Sequence, residues 1–402
     1  MISRRLFLQS VAVAAYFAQE SRASRAGDAP GVTDTEIKIG QTMPYSGPLS
    51  SFGVIGRTEA AYFNMINEQG GINGRKITLI SLDDGYSPPK TVEQVRRLVE
   101  HEQVAFLFQT LGTPTNLAVR QYCNDNKVPQ VFVGGSGSVF SDPQHFPWTI
   151  GFSPSNLTDA HIFAKHVLAT KPDAKIGVLF QNDATGRDYL IGLQDVLAAK
   201  YSSMVVKEVS YEVSEPTVDS QVVTLQGSGA DVFLIAAAPK AAAQAIRKAY
   251  DIGWTPLRYL DYVSESIVAV MKPAGVEKSK GVIAATFIKD VTDARWKDDQ
   301  GMKEFQAFCS KYLTPTDFID WNAAVGFSAA QTMVQALKQC GNDLSRDNIM
   351  KQAASVKNFQ APMIETGILI NTSPDDYRAI QQLQLGQFDG QAWQLFGNIL
   401  QG

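Results

Sequence analysis

The histidines are the first candidates for metal binding or acid–base chemistry, and their spacing is unfavourable. The sequence holds four of them, at positions 101, 145, 161 and 166. His161 and His166 are five residues apart on a predicted helix, so they do not share a face as ligands spaced by three or four residues would. The sequence therefore predicts no metal site and no cofactor.

Two acidic neighbours form the second candidate centre. Asp83 and Asp84 close a predicted strand and precede the turn-like segment 85–89. Adjacent side chains on an extended segment point to opposite sides, which makes a poor pair for acid–base catalysis. We favour a turn or helix-capping role for both carboxylates. An α/β enzyme that uses either of them is the alternative.

A string of glycine and serine, Gly134-Gly-Ser-Gly-Ser138, follows a predicted strand. It breaks the G-x-S-x-G nucleophile pattern and lacks the spacing of phosphate-binding loops. Such a loop still permits close backbone approach and offers hydroxyl donors. At the carboxyl end of a strand in an open α/β sheet it is a candidate ligand-binding loop, and a plain connecting loop is the alternative. With no catalytic residues identified, we expect a binding protein rather than an enzyme.

Alternating strand and helix patterns position these candidates. Short, almost entirely apolar runs alternate with amphipathic segments, for example the runs at 104–108, 175–180 and 232–236. This alternation is typical of parallel sheets covered by helices on both faces. The pattern restarts after Pro154, which predicts an α/β fold with two similar lobes.

The last part of the chain follows a different pattern. Three predicted helices are followed by the apolar segment 367–370 and then by two alternating runs on either side of Asp389-Gly390. Asp-Gly between such runs predicts a β-hairpin.

Composition and the first residues limit the classes to which this protein can belong. The chain has 402 residues and a formal net charge of −4, and it shows no cluster of Lys and Arg with interleaved aromatic residues, so we expect no nucleic-acid partner. Residues 1–26 combine Arg4-Arg5, a short apolar run and small residues at two candidate cleavage sites. These features predict a signal peptide of the twin-arginine type and a soluble, periplasmic mature protein. A membrane anchor is the alternative, although the run is short for a bilayer core of about 30 Å.

The cysteines allow two interpretations. Cys123, Cys309 and Cys340 are an odd set, which permits at most one disulfide in an exported protein. Cys309 and Cys340 could pair. Burial of all three as small apolar side chains is the alternative.

Several sequence blocks resemble type I periplasmic binding proteins, in the branch of branched-chain amino-acid receptors of ABC transporters. The likeness covers nearly all of the chain after residue 28, and its most specific block is Gly70-Gly-Ile-Asn-Gly-Arg75. The other blocks are Ile37-Lys-Ile-Gly40, Ser46-Gly-Pro48, Leu82-Asp-Asp84, Phe180-Gln-Asn-Asp-Ala-Thr-Gly-Arg-Asp-Tyr189 and Ala249-Tyr-Asp-Ile-Gly253.

The resemblance implies an architecture and a role. The fold would be two Rossmann-like lobes with parallel central sheets, joined by a hinge of three crossings near Phe152, Ala285 and Asn358. Lobe one would comprise 28–152 plus 286–357, and lobe two 153–285 plus 358–402. Closure of the lobes would trap a small organic ligand for delivery to an ABC permease in the membrane. We expect a monomer, and a ligand sensor with the same fold is the alternative.

The resemblance also implies ligand-binding residues on lobe one. Thr113 matches the hydroxyl that holds the ligand carboxylate, and Gly134 with Ser136 matches the backbone N–H groups that do so. Phe52 matches the aromatic wall of the side-chain pocket. Thr113 as a helix cap and Phe52 as a core residue are the alternatives.

Lobe two departs from the family pattern. Where an acid would pair with the ligand ammonium, this chain has Val263 or Ser264, and Thr185 replaces an expected tyrosine. A buried ammonium without an anionic partner costs several kcal/mol. We therefore expect a carboxylate with an uncharged tail, aromatic or aliphatic. A receptor for branched-chain or other amino acids is the alternative, and it would require Asp261 or Glu265 to take over the missing role.

Overall fold

A computed structural model describes residues 29–402. The predicted signal peptide, residues 1–26, lies outside the described residues. Two sheets organise the described chain, and we call the part built on the first sheet lobe one and the part built on the second sheet lobe two. Both are dominated by parallel pairing, which confirms the predicted α/β fold of two parallel-sheet lobes.

The first sheet has five strands, all in parallel pairs, in the order β2-β1-β3-β4-β5. Strand β3 is shorter than predicted, because only two residues of the buried run 104–108 join the ladder. The strands are β1 (Glu36–Met43), β2 (Lys76–Asp83), β3 (Leu107–Phe108), β4 (Gln130–Val133) and β5 (Thr149–Gly151).

The second sheet has seven strands in the order β12-β11-β10-β9-β8-β6-β7. Its first five strands along the chain pair in parallel, and the last two add an antiparallel hairpin at the edge, as predicted around Asp389-Gly390. The strands are β6 (Ile176–Gln181), β7 (Val205–Tyr211), β8 (Val232–Ala236), β9 (Leu257–Leu260), β10 (Ile283–Thr286), β11 (Gln382–Phe388) and β12 (Trp393–Gln401).

Helices cover both sheets, so the central strands are buried on both faces; every residue of β4, β8 and β10 is buried. The helices of eight residues or more are α1 (Gly53–Glu68), α2 (Pro88–Arg96), α3 (Thr113–Asp125), α4 (Asn156–Thr170), α5 (Ala184–Leu197), α6 (Asp219–Gly227), α7 (Pro239–Asp251), α8 (Gln300–Tyr312), α9 (Trp321–Gln339) and α10 (Arg346–Ala353). Shorter helical segments occur at Tyr201–Met204, Lys272–Ala274, Val276–Ser279 and Pro315–Phe318.

The chain passes between the sheets after β5, leaves the second sheet after β10 and returns to it before β11. The lobe boundaries given above remain a prediction. The apolar segment 367–370 forms no strand and makes only a single bridge, from Ile370 to Phe359.

Helix α9 brings its first residues to the space between the lobes. It is buried along most of its length against α1. Gly326 permits the close approach, because a Cβ there would lie 2.7 Å from the carbonyl oxygen of Ile55. This packing fixes the position of Trp321 at the start of α9.

The three cysteines are free and buried, so Cys309 and Cys340 do not form a disulfide in the structure. Burial raises the pKa of each of these two thiols to about 12, which keeps them protonated and unreactive. No helix in the described part of the chain combines the length and the apolar character needed to cross a membrane.

Candidate ligand-binding site

A cavity of about 730 Å³, including its opening to solvent, lies between the two lobes. Loops that follow β3, β4, β6, β8 and β9 line the cavity, so it lies at the carboxyl ends of strands of both sheets. Of the seven residues predicted for the site, six line the cavity: Phe52, Thr113, Gly134, Ser136, Thr185 and Val263.

Thr113 is the first residue of α3 and faces the cavity from lobe one. Its Oγ1 accepts a hydrogen bond of 3.1 Å from the N–H of Gly137. The hydroxyl hydrogen of Thr113 has no acceptor among the described residues and is free for a ligand. The start of α3 also carries the partial positive charge of a helix N-terminus, which favours a ligand anion.

The loop 134–138 lies beside Thr113. The N–H of Gly134 donates to the carbonyl oxygen of Thr110 at 2.9 Å, so it is already engaged within the protein. The N–H groups of Gly135 and Ser136 donate to no acceptor among the described residues, and both residues line the cavity. The N–H groups on this loop that could donate to a ligand are therefore those of Gly135 and Ser136, whereas the sequence analysis named Gly134 and Ser136.

Two buried amides on lobe one add polar groups that the sequence prediction missed. Gln109 follows β3 and is 1% exposed, and its Nε2 has no hydrogen-bond partner among the described residues. Asn322 is equally buried, and its Oδ1 has no partner. Both side chains line the cavity. A buried amide group without a partner is costly, so these two atoms are natural contacts for a bound ligand.

An apolar wall completes lobe one. Phe52 ends a short 3-10 turn before α1, is half-buried and packs partly on the core, so it is both a core residue and a wall residue. Its neighbours in the wall are Leu49, Ile55, Leu111, Trp321 and Val325. No lysine, arginine or histidine is among the described residues that line the cavity.

Lobe two presents small side chains. Ala236, Ala237 and Ala238 at the end of β8 line the cavity together with Thr185 and Val263, and the larger residues Gln181 and Tyr262 line it as well. Ser264 does not line it, contrary to the sequence prediction. Its hydroxyl turns into the core and donates to the carbonyl oxygen of Ala237 at 2.6 Å.

Asp261 entered the sequence prediction only under the alternative of an amino-acid receptor. It follows β9, lines the cavity and is 2% exposed. Its carboxylate accepts hydrogen bonds from the N–H of Val263 at 3.1 Å and from Nδ2 of Asn156 at 3.4 Å. Burial raises the pKa of Asp261 to about 7. Its position at the carboxyl end of a parallel strand was the signal that could have identified it.

Two further acids lie near Asp261 or near its sequence position. Asp159 is buried, accepts a hydrogen bond from the Tyr189 hydroxyl, and has a pKa raised well above its usual value by burial and by Asp261. Glu265 does not line the cavity, because its carboxylate accepts from the Thr286 hydroxyl at 2.6 Å in the interior. Of these three acids, Asp261 is therefore the one that lines the cavity.

The acidic pair on β2 has the turn and capping contacts favoured above. Asp83 accepts hydrogen bonds from the N–H and hydroxyl of Ser46 and from the N–H of Gly85. Partial burial opposes the effect of these donors, which nevertheless lower the pKa of Asp83 to about 2. Asp84 accepts from the N–H of Tyr86 and the hydroxyl of Thr91 at the start of α2.

Comparison with known proteins agrees with this geometry. Residues 36–392 match the family model described as periplasmic binding protein. The chain belongs to this family. A curated relative, the Leu/Ile/Val-binding protein homolog 7 of Brucella suis biovar 1 (strain 1330), is 25% identical over 355 residues, which are 84% of each chain. The resemblance inferred from the sequence blocks is confirmed.

Three solved structures of such binding proteins share the fold. A branched-chain amino acid ABC transporter protein from Thermus thermophilus with bound valine gives a TM-score of 0.82 at 14% identity, covering 92% of this chain and 98% of the other. A fatty acid ABC transporter substrate-binding protein from Thermomonospora curvata gives 0.79 at 22% identity, covering 93% and 95%. A solute-binding protein from Rhodopseudomonas palustris BisB5 in complex with 3,4-dihydroxybenzoic acid gives 0.75 at 17% identity, covering 91% and 97%.

Proposed function

We propose that this chain is the periplasmic receptor of an ABC importer and that it captures a small organic carboxylate, aromatic or aliphatic. The lobes close on the ligand, and the closed form delivers it unchanged to a membrane permease. The protein acts as an exported, soluble monomer, and residues 1–26 direct its export.

The observation that carries the proposal is the set of free donors on lobe one. The Thr113 hydroxyl and the N–H groups of Gly135 and Ser136 have no acceptor among the described residues, and all three belong to cavity-lining residues. Hydrogen bonds from such donors to a carboxylate are charge-assisted and about twice as strong as neutral ones. Together with the N-terminus of α3 they can hold a carboxylate without an arginine.

The rest of the cavity fits an uncharged tail. Phe52, Trp321 and Val325 give lobe one an apolar surface, and the three alanines that end β8 leave space opposite it. An aromatic ring or an aliphatic chain would gain about 25 cal/mol for each Å² of apolar surface that it buries there.

A specific observation favours a second candidate, a branched-chain or other amino acid. Asp261 lies where it can meet a ligand amine, and it is the only Asp or Glu among the described residues that line the cavity. Since the pKa of Asp261 is about 7, the side chain is available both as a carboxylate and as a neutral acid near neutral pH. The neutral form of Asp261 would not repel an organic acid in the cavity, whereas the carboxylate form would pair with a ligand ammonium.

A thermal-shift screen separates the two candidates, because a ligand that binds only the folded protein raises its unfolding temperature. The panel is benzoate, 3,4-dihydroxybenzoate, octanoate, their primary amides, leucine and valine. We expect shifts with one or more acids and none with the matching amides. Larger shifts with leucine or valine would establish the amino-acid receptor instead. Mass spectrometry of the recovered ligand checks that it is unchanged, and a converted product would contradict the binding role.

A further inference from the structure

The loop 134–138 is held from the opposite lobe at its far end. The carboxylate of Asp188, on α5 of lobe two, accepts a hydrogen bond of 2.6 Å from the N–H of Ser138 and one of 2.8 Å from its hydroxyl. Ser138 lies between β4 and β5 of the first sheet. Asp188 is 4% exposed and Ser138 is half-buried, so this contact between the lobes is partly shielded from solvent.

Residues 136–138 of the loop each form a hydrogen bond to a different partner. The carbonyl oxygen of Ser136 accepts from the N–H of Asn156 at 2.8 Å, and the N–H of Gly137 donates to Thr113. Ser138 donates twice to Asp188. These contacts leave the N–H groups of Gly135 and Ser136 as the unmatched donors of the same loop.

The hydrogen bonds from Ser138 stabilise the ionised, buried carboxylate of Asp188. Burial raises the pKa of Asp188, and the two hydrogen bonds from Ser138 oppose that effect. Of the neighbouring charges, Asp183 also raises the pKa of Asp188, whereas Arg187 lowers it. A buried carboxylate that lost both donors would be strongly disfavoured, so the contact fixes the loop and the helix relative to each other.

We propose that Asp188 is a positioning residue that fastens the loop 134–138 from lobe two in the closed cavity, so that the Gly135 and Ser136 N–H groups stay where a ligand carboxylate binds. This inference rests on the proposed function. It makes lobe two a participant in carboxylate binding although none of its groups touches the carboxylate. It also couples closure of the lobes to the assembly of the anion site.

The test compares the binding kinetics of Asp188→Asn with those of the unchanged protein, using the panel acid with the largest thermal shift and the primary amide of that acid. We expect the dissociation rate of the acid to rise about tenfold, as for loss of one strong hydrogen bond, while the association rate changes less than about twofold. The amide should be affected much less. Asp195→Asn, on the same helix, is the matched control: its side chain is 53% exposed and contacts His161 outside the cavity, so the binding kinetics should not change.

A double-mutant cycle then assigns the effect to the pair. Once Asp188→Ala is present, Ser138→Ala should add little further loss, because the two side chains act through one contact. Equal losses of affinity for the acid and the amide would show a merely structural role and overturn the inference. So would a free energy of unfolding, measured without ligand, that falls by as much as the free energy of acid binding. Unchanged acid binding in Asp188→Asn would overturn it while leaving the proposed function intact. If no panel acid binds the unchanged protein, the proposed function and this inference fail together.

Discussion

The two lobes face the same cavity with different side chains. Lobe one offers hydrogen-bond donors, a helix N-terminus and an apolar wall, whereas lobe two offers three alanines and Val263, together with Gln181, Thr185, Tyr262 and a single acid, Asp261. Under the proposed function the lobes have different tasks: lobe one would bind the charged end of a ligand, and lobe two would select the group at its other end. Both carry their polar groups just after parallel strands, so the contrast lies in the residues and not in the architecture.

The largest expected effect comes from removing the free hydroxyl of lobe one. In Thr113→Val the carboxylate loses one charge-assisted hydrogen bond, and Gly137 loses its acceptor, while the shape of the side chain is kept. We expect calorimetry to show a loss of affinity for the acid of about tenfold to a hundredfold. Thr224→Val, on an exposed helix face, is the control. Wild-type affinity in Thr113→Val would remove this residue from the site.

The next effect tests the acid of lobe two through pH. The raised pKa of Asp261, about 7, means that the carboxyl group becomes neutral as pH falls through that value. A ligand with only a carboxylate should bind up to about tenfold more tightly at pH 6 than at pH 8, because it avoids a like charge, whereas an amino acid should bind more weakly.

Asp261→Asn should remove this pH dependence while retaining a hydrogen-bonding side chain of the same shape. We expect this variant to hold the acid at pH 8 as well as the unchanged protein does at pH 6. A loss of acid binding in Asp261→Asn at both pH values would contradict the assignment of lobe two.

A smaller effect concerns the space on lobe two. Val263 is half-buried and lines the cavity, so Val263→Phe should reduce the room for a long tail without disturbing the core. We expect the affinity for octanoate to fall about fivefold, which corresponds to an overpacking cost of the order of one kcal/mol. The affinity for benzoate should fall less. Titration of both acids measures the ratio, and equal losses would place the tail elsewhere.

The smallest effect on binding is expected at Ser264, which points away from the cavity. Ser264→Ala leaves the Ala237 carbonyl without its donor and should lower the free energy of unfolding by about 1–3 kcal/mol. Affinity should change less than about twofold, within the range typical of positions without ligand contact. Denaturant unfolding and calorimetry measure the two quantities. A large loss of affinity would show that Ser264 contributes to ligand binding.

Much of the fold was accessible from the sequence because its strands are apolar and its turns are distinctive. The alternating runs predicted two parallel-sheet lobes, and Asp389-Gly390 predicted the edge hairpin. The run at 367–370 has the composition of a strand but lacks a neighbouring strand to pair with, which only the tertiary structure decides. Strand β5 was missed because three residues carry too little pattern.

The site was predictable where backbone position decides the role and less so where hydrogen bonding does. Thr113 and Ser136 follow strands, and both line the cavity; their contacts with a ligand stay a prediction. The engagement of the Gly134 N–H with Thr110 cannot be read from the sequence, because it depends on how two loops meet. Asp261 was only the alternative, since the family register points to Val263, whereas the turn after β9 brings both residues to the cavity.

A crystal structure of the complex with the panel acid that binds most tightly tests the division of labour most directly. The account predicts both carboxylate oxygens within hydrogen-bond distance of the Thr113 hydroxyl and the N–H groups of Gly135 and Ser136, with the tail between Phe52 and the alanines after β8. A carboxylate bound instead against Asp261, or anywhere on lobe two, would contradict it.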